Sequence, residues 1–180
     1  MPENILGYTI NMQEYVSEAI VLEKKTFGDC DSRYSIFTRR FGKMVAKAKS
    51  VRKITSKLAG HLEPGNIVRV RFIEKNGLQI TDALKEEKLF ISLMNLSLLS
   101  DLLPEGEPEV ALWANCRAGV FVWRDILRTL GWDPEYATCV SCGSSDVSSF
   151  YIPSQEFFCG RCSSSKSGKN EIPLKENDRL

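Results

Sequence analysis

No apolar run in this sequence approaches the roughly 20 residues that a helix needs to span a bilayer. The opening stretch, MPENILGYTINMQEY, has neither a basic n-region nor an apolar h-region, so no secretory leader is expected and the chain is read as cytoplasmic. Regular patterning begins only at about Tyr15, which makes residues 1–14 an N-terminal extension and Met12 an alternative start. There is a single histidine, His61, in a loop before Pro64 and without an acid–nucleophile partner. Ser167–Asn170 ends like a phosphate loop but lacks the glycine at the required spacing and a preceding strand. No active-site cluster assembles, and the sequence reads as that of a binder rather than an enzyme.

Acidic residues are missing from one place in particular. The chain as a whole is nearly neutral, with 24 Lys+Arg against 23 Asp+Glu. Tyr15–Lys85, however, holds fifteen basic and seven acidic residues, and between Arg39 and Lys57 there are eight basic residues and no acid. An ordinary surface intersperses the two signs to avoid a large field of one sign. The candidate polyanion contacts are Arg39, Arg40, Lys43, Lys47, Lys49, Arg52, Lys53 and Lys57, joined by Arg69 and Arg71 of a second alternating strand. The bland reading is a solvated strand face; nucleic acid is the better one. Tyr34, Phe37, Phe41 and Phe72 are candidate stacking platforms that fit a core equally well, and Phe41, beside a turn glycine, is the foremost.

The first half reads as five short strands. YVSEAIVLEKK, RYSIFTRR and KMVAKAK are separated by turn chemistry at Gly28 and Gly42; NIVRVRFIEK and LQITDAL flank Asn76-Gly77, a strong hairpin signal. Five strands within residues 15–85 predict a small closed barrel of OB type. Residues 86–133 change to helical patterning: a largely buried helix over EEKLFISLMNLSLLSDLL, then one from Pro108 to Gly131 with Trp113, Cys116, Val120, Trp123, Leu127 and Leu130 on one stripe. Cys116 is expected there as an inert buried thiol. The fold class is therefore α+β: an N-terminal five-stranded OB barrel followed by a small helical domain. Residues 166–180 are polar and read as a tail.

The helical region leads into Cys139-Val-Ser-Cys142 and Cys159-Gly-Arg-Cys162, two CxxC pairs within a segment 134–165. Each CxxC turn lets two thiolates converge on one ion, and two such turns complete a tetrahedron. Four protein thiolates leave no open position for water or substrate, so the spacing predicts a structural zinc. The alternatives, disulfides or a redox pair, lack an oxidising compartment and a thioredoxin-like βαβ context.

EAIVLEKKTFGDCD (18–31), FTRRFGKMVAKAKSVRK (37–53), SKLAGHLEPG (56–65), LLPEGEPE (102–109), LGWDPEYATCVSCG (130–143) and the second pair, CGRC, resemble the RecO family of bacterial DNA repair proteins. The resemblance runs in order from about Tyr15 to Cys162. It implies an OB barrel, a helical domain and a four-cysteine zinc segment. It also implies a nucleoid-associated recombination mediator that binds single- and double-stranded DNA, anneals strands, associates with RecR and with the tail of single-stranded-DNA-binding protein, and helps load recombinase. By position, the family's basic strand and loop correspond to Lys43, Lys47, Lys49, Arg52, Lys53 and Lys57, with Ser50 where the family usually has glycine. A protein–protein adapter and an RNA-binding OB/zinc-ribbon protein are the alternative readings.

Overall fold

The computed structural model describes residues 13–163 and 168–174. Met12, nearly all of the N-terminal extension, and the ends of the expected polar tail lie outside the described residues. Five strands, β1 (Gln13–Phe27), β2 (Asp31–Thr38), β3 (Gly42–Ala48), β4 (Asn66–Glu74) and β5 (Leu78–Lys88), close into a barrel of order β1-β2-β3-β5-β4. All pairings are antiparallel except β3 with β5, whose parallel contact at Lys47–Gln79 shuts the ring. Period-two alternation aims Ala19, Val21, Tyr34, Ile36, Ala46, Ala48, Val68, Val70 and Phe72 into the barrel, all at 1% exposure or less. At the β4–β5 hairpin Asn76 and Gly77 both take positive φ, 52° and 100°, which a tight I′-like turn requires.

β5 continues to Lys88, so the helix expected from Glu86 starts later. α1 (Leu93–Leu102) begins after Ser92, whose hydroxyl accepts from the Asn95 N–H as an N-cap. Leu96, Leu98, Leu99 and Leu102 are buried, but Leu93 and Met94 lie exposed, so this helix hides one side rather than its whole circumference. The single helix expected from Pro108 to Gly131 is two: α2 (Val110–Arg117) and α3 (Trp123–Thr129). The break falls at Gly119, whose φ of +75° departs from helical geometry, and it leaves Val120 half-exposed while Trp113, Cys116, Trp123 and Leu127 remain core.

A small sheet of order β7-β6-β8 completes the fold, from β6 (Val147–Tyr151), β7 (Glu156–Cys159) and β8 (Glu171–Pro173), with a short turn of helix α4 (Gly160–Ser163). β8 lies within the stretch read as a polar tail; Ile172 and Leu174 supply the apolar side chains that anchor it. One core runs through all three parts: Ile20, Leu22, Phe37 and Ile67 on the outside of the barrel, the leucines and tryptophans of α1–α3, and Val147, Phe150 and Ile172 of the small sheet.

The chain after α1 is laid against the edge of β3. The Gly106 N–H donates to the Lys43 carbonyl (2.9 Å), and Lys43 Nζ donates to the Ser100 carbonyl (2.8 Å). Gly42 has φ +68°, and a Cβ there would sit 2.1 Å from the Glu107 carbonyl oxygen. Both the conformation and the close approach require glycine. Gly42→Ala is expected to destabilise the protein by at least about 2 kcal/mol, combining backbone strain with a forced shift of residues 105–107. Thermal unfolding checks this; a melting temperature within a degree of the unsubstituted protein would show that the segment is not docked there.

Candidate nucleic-acid interface and metal centre

β3 alternates small inward residues with long outward ones, so Lys43 and Lys47 stand outside while Ala46 and Ala48 pack within. The chain then turns at Ser50, which holds φ +54°, a conformation a glycine would adopt more readily. Its N–H donates to the Asp31 carboxylate (2.7 Å), which fixes the turn. The irregular 51–65 segment is tethered by buried Val51 and Leu62 and by the Arg52 N–H on the Cys30 carbonyl (3.0 Å). Arg52, Lys53 and Lys57 are thus exposed side chains on an anchored loop, beside the β1–β2 turn.

The structure sorts the ten candidate cations into two groups. Arg39 pairs with Glu18 (3.2 Å), Arg69 with Glu86 (3.0 Å) and Arg71 with Glu14 (3.4 Å). β1 and β4 run antiparallel with Glu18 opposite Arg69 and Val16 opposite Arg71, so acids from the start of β1 share the face of the Arg-x-Arg strand. These exposed pairs add little stability, but they cancel the local field. Lys43 is committed to the Ser100 carbonyl, and Arg40 lies over the Phe41 ring (5.2 Å) and reaches the Val16 carbonyl. Lys47, Lys49, Arg52, Lys53 and Lys57 have no carboxylate within ion-pair distance among the described residues.

Tyr34, Phe37 and Phe72 are fully buried and belong to the core. Phe41 is half-covered and packs edge-on against Tyr15 (5.4 Å, 78°), whose hydroxyl donates to Glu74. Sequence reasoning missed three residues beside the uncompensated group. Phe27, 41% exposed, ends β1; Arg33 is directly opposite Lys47 across β2 and β3; and Lys75 leads into the hairpin. Their signal was faint: each adjoins a turn or sits alone on a strand, outside the contiguous basic run. His61 has a structural task, its Nδ1 accepting from the Lys85 N–H (3.0 Å).

The four cysteines of the CxxC pairs come together. Cys139 and Cys142 flank a turn closed by the Gly143 N–H on the Cys139 carbonyl (2.8 Å), with Gly143 at φ +73°. Cys159 ends β7 and Cys162 lies on α4. All four sulfurs lie within 4.8 Å of one another, and Cys142 Sγ to Cys159 Sγ is 3.6 Å. Sulfurs about 2.3 Å from a tetrahedral metal stand about 3.8 Å apart, so the donors fit such an ion; this contact is far too long for a disulfide. Hydrogen bonding from the Cys159 backbone, with more from Cys142 and Ser141, lowers the Cys139 thiol to about 6. The Cys159 thiol is lowered mainly by the Cys162 backbone. Cys162, hydrogen-bonded to Cys159 and Cys142, is pushed up to about 12. Backbone amides thus favour the charged form at Cys139 and Cys159, as they would in a thiolate metal site. Cys116 takes no part; burial raises its thiol to about 12 within the helical core.

A closed five-stranded barrel bearing a cationic edge, joined through helices to a four-cysteine cluster that could hold a metal ion, is an α+β architecture of OB-like class. Family models narrow this further. "Recombination protein O N terminal" matches residues 12–87 and "Recombination protein O C terminal" matches 120–178. The DNA repair protein RecO of Thermodesulfovibrio yellowstonii is 28% identical, the match covering 84% of this chain and 71% of that one. That of Syntrophobacter fumaroxidans is 26% identical over 72% and 62%, and that of Myxococcus xanthus 31% over 57% and 47%. The chain belongs to the RecO family, and this membership implies a non-enzymatic role in DNA repair and recombination. It spans between about half and about seven-tenths of the length of these relatives. Among the described residues no helix is long and apolar enough to cross a membrane.

Treatment with a strong chelator is expected to open the cysteine turns, residues 139–143 and 159–163, to limited proteolysis while the barrel stays resistant, because these turns have little core of their own beyond Phe158. Equal resistance with and without chelator would show that the four cysteines hold the segment without an ion.

Proposed function

We propose that this chain binds single- and double-stranded DNA through Lys47, Lys49, Arg52, Lys53 and Lys57 on β3 and its following loop, and that it promotes pairing of complementary strands in recombinational repair. The observation that carries this reading is that, among the described residues, those five cations have no carboxylate within ion-pair distance, while the arginines of β1's neighbouring face are neutralised. Each phosphate contact releases condensed counterions, an entropic gain that is independent of base sequence. Two strands neutralised on one surface repel each other less, which favours annealing without any chemical step. Cys139, Cys142, Cys159 and Cys162 would hold zinc, whose preference for four thiolates in a tetrahedron matches the sulfur set; bound there, it serves as a structural clip and supplies no open coordination position. The protein partners of this reading are RecR and the tail of single-stranded-DNA-binding protein, with recombinase loading as the outcome.

The log–log salt slope of single-strand binding is expected to be about −3 to −3.5 for four to five phosphate contacts. Replacing Lys47, Lys49, Arg52 and Lys53 together by Ala should bring it to about −1, whereas replacing Arg69 and Arg71 should leave it nearly unchanged. Fluorescence anisotropy over a salt series reads both. A slope indifferent to the quadruple replacement places the DNA elsewhere, and RecR binding that survives with no DNA affinity at all supports an adapter instead.

A further inference from the structure

The β3 edge holds more than charge. Phe27 ends β1 with its ring 41% exposed at the rim of a cleft of about 410 Å³, which is also lined by Lys47, Lys49, Lys75, Asn76 and Gln79. A lone exposed hydrophobe needs no explanation; this one has a setting that calls for one. Lys47 Nζ is 4.7 Å and Arg33 Cζ 5.1 Å from the ring centroid. Arg33 and Lys47 are directly opposed across β2 and β3, and with both cations over its ring Phe27 still keeps 41% exposure where it lines the cleft. Asp31 also lines the cleft, but its carboxylate accepts the Ser50 N–H and so braces the wall. Asn76 and Gln79 add side-chain amides, the Gln79 amide nitrogen donating to the Lys75 carbonyl (3.1 Å).

We infer that Phe27 is a stacking platform for one unpaired base of a DNA strand, with Lys47, Lys49 and Lys75 on the adjoining phosphates, and that this cleft adds to single-strand binding a contact that duplex cannot make. The inference rests on the DNA-binding reading above and adds to it a residue that selects strand type. A duplex keeps both faces of each interior base covered by its neighbours, so only a splayed base meets the ring. Phosphate contacts do not make that distinction. Phe41, half-buried with Arg40 over its ring, is less suited, because it is packed against Tyr15 in a neighbourhood containing Glu74 and the paired Glu18.

The test compares the full-length protein with Phe27→Leu and Phe27→Tyr on a fluorescein-labelled oligo-dT, an abasic oligonucleotide of equal length and charge, and a hairpin duplex. Phe27→Leu is expected to weaken oligo-dT binding about 10-fold, the order that stacking of one base supports, and to change duplex binding less than twofold. Phe27→Tyr should retain the affinity, and the salt slope should be the same in all three proteins. The unsubstituted protein should itself favour oligo-dT over the abasic strand by a similar factor, a measurement that needs no variant to fold. Equal affinity for oligo-dT and the abasic strand, or an equal loss on duplex and single strand in Phe27→Leu, overturns the assignment while leaving the electrostatic reading intact. Tighter binding of the matching RNA overturns the choice of DNA as the strand. No binding to any of these probes at low salt brings down the DNA-binding reading itself.

Discussion

Lys47 on β3 stands beside Gln79 on β5 in the parallel pairing that shuts the barrel, and the character of the surface depends on that contact. β2, β3 and the loop after β3 carry the cations as a sheet edge; closure turns the edge into a wall facing the β4–β5 hairpin with its Lys75. The same closure buries Ala46 and Ala48 inside and so commits the intervening lysines to the outside, since the pleat allows no other assignment. Without it the basic residues would be a flexible charged stretch rather than a surface with a fixed pitch.

Charge on this barrel is distributed by strand pairing rather than by sequence proximity. Glu14 and Glu18 are far from Arg69 and Arg71 along the chain, yet the β1–β4 register places them on one face. One flank is thereby neutral and the other, from Lys47 to Lys57, is cationic. The four-cysteine cluster is built on a different principle, in which backbone hydrogen bonds favour the charged form of Cys139 and Cys159. The helices unite the two, because α1–α3 share one apolar core with the outer residues Ile20, Phe37 and Ile67 of the barrel and with Phe150 and Ile172 of the small sheet.

Much of this was legible in the residues. Alternation gave five strands, Asn76-Gly77 gave the hairpin, and the CxxC spacing gave the sulfur cluster, because each is set by contacts short in sequence or by invariant geometry. The helical region was harder. Trp113 and Trp123 fall on one helical stripe whether or not the chain breaks between them, and the break comes from the positive φ of Gly119 and the extended backbone of Val122. α1 was read too long because Glu86–Lys88 suits an exposed strand end as well as a first helical turn. The pairing of the basic surface is not legible in its own stretch: no pattern within residues 39–71 reveals that Glu14, Glu18 and Glu86 will pair with three of its arginines. Phe27 was overlooked since its neighbours, Arg33, Lys47 and Lys75, meet only after the barrel closes.

Backbone hydrogen exchange of the full-length protein with and without saturating oligo-dT at low salt tests most directly whether the uncompensated edge is where DNA lies. Slowed exchange concentrated in residues 47–57 and 75–79, with 66–72 and 137–162 unchanged, is the result this account predicts. Protection centred on the arginines of β4 or on the cysteine turns, with the β3 loop exchanging as freely as before, would contradict it.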